Sequence, residues 1–432
     1  MVPNRIERFQ QAFRNLQLQP LIKPEEISNF RVEYGYNWDA LEQKVLNCSD
    51  YHQQIVFAGH RGCGKSTLLA EFAQRLDDRY FTVFFSIADL IEMSAINHIN
   101  ILFAIAVQLM AKADDLQIDI EQAKKDEFFN WFRKRTNITE SKTTGGAETG
   151  FDLFGLIKLK LKTDNTIREE IKTDFIQDPR NLIDTLNLIA GEVELASGKK
   201  IVVIIDDLDK LDLVDVEKIF KQNLNILLQP NFIVIYTMPI ATIRDGVLKK
   251  HIEDAISNRI YVMPVLKLYA KGDSHKPTAP FVVKEMDKLQ EILGKRIDDD
   301  LLPPDITLKI GLASGGVMRE LIRIAQECCQ LMLVDLKQKV RANIKIDDLK
   351  IDDAILTEAL DILRNDMAIT LSKIDREILK QTYLNYRPDD PKQQEFLDLL
   401  HNTYAIEYRN TESWYDLHPL IIQQLIKEQM IP

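Results

Sequence analysis

The chain of 432 residues carries little that could serve metal or redox chemistry. Its four cysteines are Cys48, Cys63 and the adjacent pair Cys328 and Cys329, and none has the spacing of a metal-ligand set. A disulfide scaffold is not expected, and the four read as small buried hydrophobes. The seven histidines are scattered, which leaves no zinc site and no serine or cysteine hydrolase constellation. No uncharged apolar run reaches the roughly 18 residues of a membrane span. The N-terminus, Met-Val-Pro-Asn-Arg-Ile-Glu-Arg, lacks the apolar centre of a secretory signal. A cytoplasmic location without membrane contact is therefore expected. A surplus of positive charge is also missing: the net charge is −11, which argues against coating nucleic acid through bulk electrostatics and leaves room only for a local basic groove. At 45% apolar and 28% charged residues, the chain can build about two or three cores.

What the sequence does have is a phosphate-binding loop. Residues 59–66 read G-H-R-G-C-G-K-S directly after the apolar run Ile55 to Ala58, a strand-loop-helix context. Gly59, Gly62 and Gly64 let the backbone curl so that successive amides, including those of His60, Arg61 and Cys63, point at phosphate oxygens. Lys65 supplies positive charge to the β- and γ-phosphates, and Ser66 offers a hydroxyl to Mg²⁺. From Thr67 a helix begins whose N-terminal dipole also faces the anion. Farther along, Ile201-Val-Val-Ile-Ile runs into Asp206, Asp207, Leu208 and Asp209, a buried parallel strand with carboxylates at its carboxyl end. There Asp206 can hold Mg²⁺ and Asp207 can orient or deprotonate an attacking water. Asp209 is the weaker candidate, with a solvated place at the start of the next helix as its alternative reading.

The expected organisation is an N-terminal helical segment (1–50), a nucleotide-binding core (51–268) with an insertion at about 114–180, a helical lid (281–365) and a winged-helix-like domain (366–432). Within the insertion, Phe128 to Arg135 ends a charged helix and Thr143 to Gly150 reads as a mobile loop. Lys158, Lys160 and Lys162 alternate with Ile157, Leu159 and Leu161, the period of a strand with one basic face. Such a ladder beside aromatics suits anionic contact, but edge lysines more often serve to block aggregation. After the acidic strand, Phe232 to Tyr236 forms another strand tipped by Thr237, a candidate sensor of the γ-phosphate alongside Tyr236. Arg259, at a helix end, is the candidate arginine finger for a neighbouring subunit, with Arg244 its competitor. In the lid, Ala313-Ser-Gly-Gly-Val-Met precedes Arg319 on the first turn of an amphipathic helix, where it can bond the γ-phosphate and report its loss. Arg323, one turn on, is the structural alternative. The C-terminal stretch reads as helices and a β-hairpin whose turn carries Glu412 and Asp416, acidic where a DNA-gripping wing would be basic.

Taken together, the loop, the I-I-D-D-L-D strand, the S-G-G-V-M-R helix and the terminal hairpin resemble the AAA+ and STAND branch of P-loop ATPases, with an origin-initiator-like layout. The resemblance implies an α/β fold: a P-loop NTPase parallel sheet core with a helical lid and a C-terminal winged-helix-like domain. It implies ATP and Mg²⁺ as cofactors, homo-oligomerisation that places Arg259 beside a neighbour's nucleotide, and Arg319 as the second sensor. The Asp206-Asp207 pair stands where that branch usually has Asp-Glu, and Tyr236-Thr237 where it commonly has Asn, so slow hydrolysis is expected. Stand-alone prokaryotic ATPases of this plan occur in antiviral defence and mobile-element systems, with a separately encoded protein effector. A DNA-loaded ATPase and a non-hydrolysing scaffold are the rival readings, with nucleic acid a less favoured partner. No guanine-reading motif follows the acidic strand.

Overall fold

Runs of β-branched and aromatic residues form the strands. β1 (Gln54–Gly59), β2 (Tyr80–Ser86), β3 (Lys200–Asp206), β4 (Ile233–Pro239) and β5 (Tyr261–Met263) make one sheet in the order β2-β3-β4-β1-β5. β2 pairs with β3 and β3 with β4 in parallel, which sets Ser86 opposite Asp206 and Ile205 opposite Tyr236. All of β1 and β4, and β3 from Ile201 onward, are buried. Cover on both faces explains why these runs show no polar alternation. This α/β architecture is that of a P-loop NTPase core. The structure is a computed structural model that describes residues 4–34, 39–47, 53–138, 153–276, 278–409 and 412–432. The loop expected at Thr143 to Gly150 lies outside them.

Ahead of the sheet come α1 (Arg5–Asn15), α2 (Pro24–Phe30) and α3 (Asp39–Leu46). Asn4 and Glu7 close a reciprocal capping box at the start of α1, satisfying amides that the first turn leaves open. The chain divides into two compact units. One holds residues 38–58 and 69–262, the other residues 1–37, 59–68 and 263–432.

α4 (Lys65–Leu76) follows the glycine loop, and in the first unit α5 (Ile87–Leu90) leads to α6 (His98–Asp115). α6 is buried around nearly its whole circumference, as a helix with apolar residues on nearly every side must be. α7 (Gln122–Arg135), α8 (Leu153–Thr163), α9 (Asn165–Ile176) and α10 (Arg180–Ser197) come before β3. The strand expected over Leu153 to Lys162 is therefore a helix. Leu153, Phe154, Ile157 and Leu161 carry its buried stripe at helical spacing, while Leu159 is 57% exposed. The alternation of lysine and leucine masked a second period that tertiary packing selects. Lys160 gives its ammonium to the carbonyls of Thr136 and Asn137, and Lys162 to that of Ala88. The nearby aromatics pack on one another. Phe132 meets Phe103 and Phe154 edge-on at 5.8 and 5.6 Å, and Phe128 and Phe132 are buried. After β3, α11 (Leu213–Glu217) passes into a π-turn over Lys218–Gln222 and then into α12 (Leu224–Leu227). α13 (Gly246–Ala255) leads to β5.

In the second unit, α14 (Val283–Gly294), α15 (Pro304–Ala313), α16 (Met318–Arg341) and α17 (Asp353–Ala368) share a core with α1. Phe9, Leu293, Leu321, Cys328 and Leu363 are among its members. Burial first, then Cys329, raises the Cys328 thiol, so that both cysteines act as apolar filling. α18 (Lys373–Asn385), α19 (Gln394–His401), an antiparallel hairpin of β6 (Ala405–Arg409) and β7 (Ser413–Leu417), and α20 (Pro419–Lys427) complete it. Among the described residues, no helix is long and apolar enough to cross a membrane.

Candidate functional site

The glycine loop has the backbone its sequence demands. Gly62 and Gly64 lie at φ +76° and +99°, a region that residues with a Cβ rarely adopt. The room around them is also closed. A Cβ on Gly62 would come within 2.6 Å of the Arg319 Cβ, and one on Gly64 within 2.1 Å of the Tyr34 hydroxyl. Lys65 is 4% exposed and donates to the carbonyls of Gly59 and His60 at 3.1 and 2.7 Å, so its ammonium rests on the rim of its own loop. Arg61 and Ser66 are half-buried, and the Thr67 hydroxyl accepts from the Leu21 amide at 3.0 Å.

Three contacts hold this loop within its unit, and composition or periodicity announces none of them. The Tyr34 hydroxyl donates to the Cys63 carbonyl at 3.2 Å, and burial raises this phenol well above its ordinary range. The Glu407 amide, on β6, donates to His60 Nε2 at 2.8 Å across 347 residues of sequence. The Arg319 amide donates to the Gly62 carbonyl at 2.9 Å. Thus the first turn of α16 sits directly on the loop, and the exposed Arg319 side chain starts from that point. Arg323 instead lies 3.5 Å from Glu320 and 3.9 Å from Asp366.

In the sheet unit, Asp206, Asp207 and Asp209 gather at the end of β3 with carboxylate oxygens within 4.8 Å of one another. Such a set suits a hard divalent cation that takes oxygen ligands. Asp209 is 5% exposed, so the expectation of a solvated residue is overturned: the 3₁₀ turn Leu208–Lys210 carries it inward. Asp207 has φ +68°, a strained conformation for a residue with a Cβ. Ser86 donates to one of its oxygens at 2.7 Å, and Lys210 pairs with the other at 2.7 Å. Ser86 was not singled out from sequence, although it is the polar residue closing a strand beside β3.

Thr237 is fully buried. Its hydroxyl accepts from the Leu208 amide and donates to the Ile205 carbonyl, both at 3.1 Å, and so clips the turn that presents Asp207 and Asp209. Tyr236 is buried too and donates to the Leu227 carbonyl at 2.8 Å. Arg259 is exposed, with its guanidinium 5.4 Å from the centre of the Tyr261 ring, whereas Arg244 is half-buried.

Residues 40–256 match the model of the KAP family P-loop domain. The chain belongs to this family. Curated proteins give no match to this KAP family chain. Solved structures similar to it include Cdc6p from Pyrobaculum aerophilum, at 11% identity and TM-score 0.36 over 94% of this chain and 98% of that one. The Aeropyrum pernix ORC1 protein in complex with DNA is 9% identical, with a TM-score of 0.38 over 95% and 96%. A RuvB variant of Thermotoga maritima is 14% identical, with a TM-score of 0.37 over 95% and 99%.

Proposed function

We propose that this KAP family chain is a slow ATP-hydrolysing switch that assembles with copies of itself and passes its state to a protein partner. The observation that carries the reading is the glycine loop with the start of α16 bonded to it, Arg319 amide to Gly62 carbonyl at 2.9 Å. A helix whose first turn touches a phosphate loop is suited to sense what that loop holds. In this reading the loop amides from Gly59 to Gly64 and the Lys65 ammonium take the phosphates, Thr67 lies in the first turn of the helix behind them, and Arg319 meets the terminal phosphate. Ser66 in the glycine loop and Asp206 at the end of β3 each offer an oxygen donor of the kind Mg²⁺ takes, and the ion, when bound, would neutralise phosphate charge. Asp207 orients the attacking water. Both of its oxygens are already engaged by Ser86 and Lys210, which fits slow turnover. Thr237 acts through the turn it clips, and the exposed Arg259 is offered to a neighbour.

Mass photometry and phosphate release test this together. A non-hydrolysable ATP analogue is expected to drive assembly without DNA, and Lys65→Ala to abolish both assembly and turnover. Asp207→Asn should keep assembly and lose turnover. A chain that stays monomeric with the analogue and releases no phosphate from ATP overturns the reading, and assembly only with duplex DNA replaces it with a DNA-loaded ATPase.

A further inference from the structure

A cavity of about 460 Å³ lies between α15, α17, the terminal hairpin and α20, and the ATP chemistry makes no use of it. That volume is within the range of small-molecule sites, roughly 300 to 1,000 Å³. Leu312, Leu356 and Leu360 supply an aliphatic wall, and Tyr408 and Trp414, stacked with ring centres 4.6 Å apart, an aromatic one. Asp416 also lines it and is only 3% exposed. Its oxygens meet the Ser274 hydroxyl at 2.5 Å, His275 Nε2 at 2.9 Å and the Leu417 amide at 2.8 Å. None of these partners is a lysine or arginine. The other charges on the wall, Lys309 and Asp353, pair with each other at 2.5 Å and cancel. A buried carboxylate held by a hydroxyl, an amide and an imidazole, with no lysine or arginine against it, and set among aromatic faces, is an environment that favours a positive charge.

We infer that this cavity is a binding site for a small organic ammonium cation with an apolar body, and that its occupant acts on the glycine loop. Two short paths run from its walls. The Tyr408 hydroxyl donates to the Gly315 carbonyl at 2.7 Å, four residues before the Arg319 amide that bonds Gly62. On the same strand, the residue before Tyr408 is Glu407, whose amide bonds His60. A ligand wedged between hairpin and α15 therefore bears on both contacts at once.

The test uses the full chain without nucleotide and two water-soluble probes of similar shape, 2-phenylethylammonium and the neutral 2-phenylethanol, titrated by ligand-observed NMR. The ammonium is expected to bind about tenfold more tightly than the alcohol. Asp416→Asn should erase that difference, and Leu360→Trp, which fills the cavity, should remove binding of both. Hydrogen exchange at the Arg319 and Glu407 amides should slow on saturation with the ammonium. Equal affinity of the two probes, absence of binding at millimolar concentration, or undiminished binding in Leu360→Trp overturns the site. Unchanged exchange at both amides overturns its link to the loop. Because no nucleotide is present, these outcomes are separate from the fate of the ATPase reading.

Discussion

Thr237→Val separates a residue that touches nucleotide from one that holds the residues that do. Valine has nearly the same shape, so the fully buried site gains no cavity and loses only a hydroxyl. Two hydrogen bonds of 3.1 Å go with it, and the Leu208 amide is left without that acceptor. An unsatisfied buried amide costs about 1 to 3 kcal/mol and the lost bond about 1 more, so local opening of the turn should become easier by about 2 to 4 kcal/mol. At about 1.4 kcal/mol per tenfold, exchange of the Leu208 amide should quicken roughly 30- to 700-fold. Asp207 sits in the same turn at φ +68°, a conformation costing a residue with a Cβ about 1 to 2 kcal/mol. Once unclipped it relaxes, and ATP turnover should fall while ATP binding is unchanged. Thr237→Ser keeps both bonds and should keep both rates. Leu208 exchange at the wild-type rate in Thr237→Val would refute the clip, and if ATP binding fell as well, the direct sensor role would take its place.

Two further perturbations have directions set by the structure. Gly198 and Gly316 both have positive φ, at +68° and +79°, but a Cβ on Gly198 meets nothing within 4 Å, whereas one on Gly316 would lie 2.0 Å from the Leu266 carbonyl oxygen. In urea unfolding monitored by pulse proteolysis, Gly198→Ala should therefore cost about 1 kcal/mol and Gly316→Ala roughly 3 kcal/mol or more. Equal costs would mean that backbone angle, not contact, decides. His418 is fully buried with Nδ1 accepting from the Leu420 amide, and burial lowers its affinity for a proton below the ordinary value of 6.5. The unfolded chain then binds a proton that the folded chain resists, so stability is present above pH 6.5 and is lost as pH falls through that value. His418→Asn keeps an acceptor near the Nδ1 position and should flatten the loss between pH 7 and 5.5 measured by the same proteolysis assay.

The readable parts of this molecule are those whose chemistry is local. Gly62 and Gly64 announce their backbone angles because no other residue fits them, and Arg319 could be placed because a double glycine stops one helix and a new amphipathic period begins at once. Strands β1, β3 and β4 declared themselves as unbroken apolar runs for the same reason: their two covered faces leave no polar position. Periodicity does not, however, name a partner. In Leu153 to Lys162 two periods coexist, and only packing of Ile157 and Leu161 against neighbouring helices decides for the helix. The candidate site was obscured in the same way. Ser86 reaches Asp207 across 121 residues and His60 reaches Glu407 across 347, and each pair is joined by topology alone. Asp209 failed for a subtler reason. An aspartate two residues past a strand is ordinarily wet, and here the strained angle at Asp207 turns the chain so that the third carboxylate points back toward the other two. The gathering of three carboxylates that results, invisible in a run of letters, makes a set of oxygen donors of the kind a hard divalent cation takes, and that is the physical reason to look for Mg²⁺ at the end of β3.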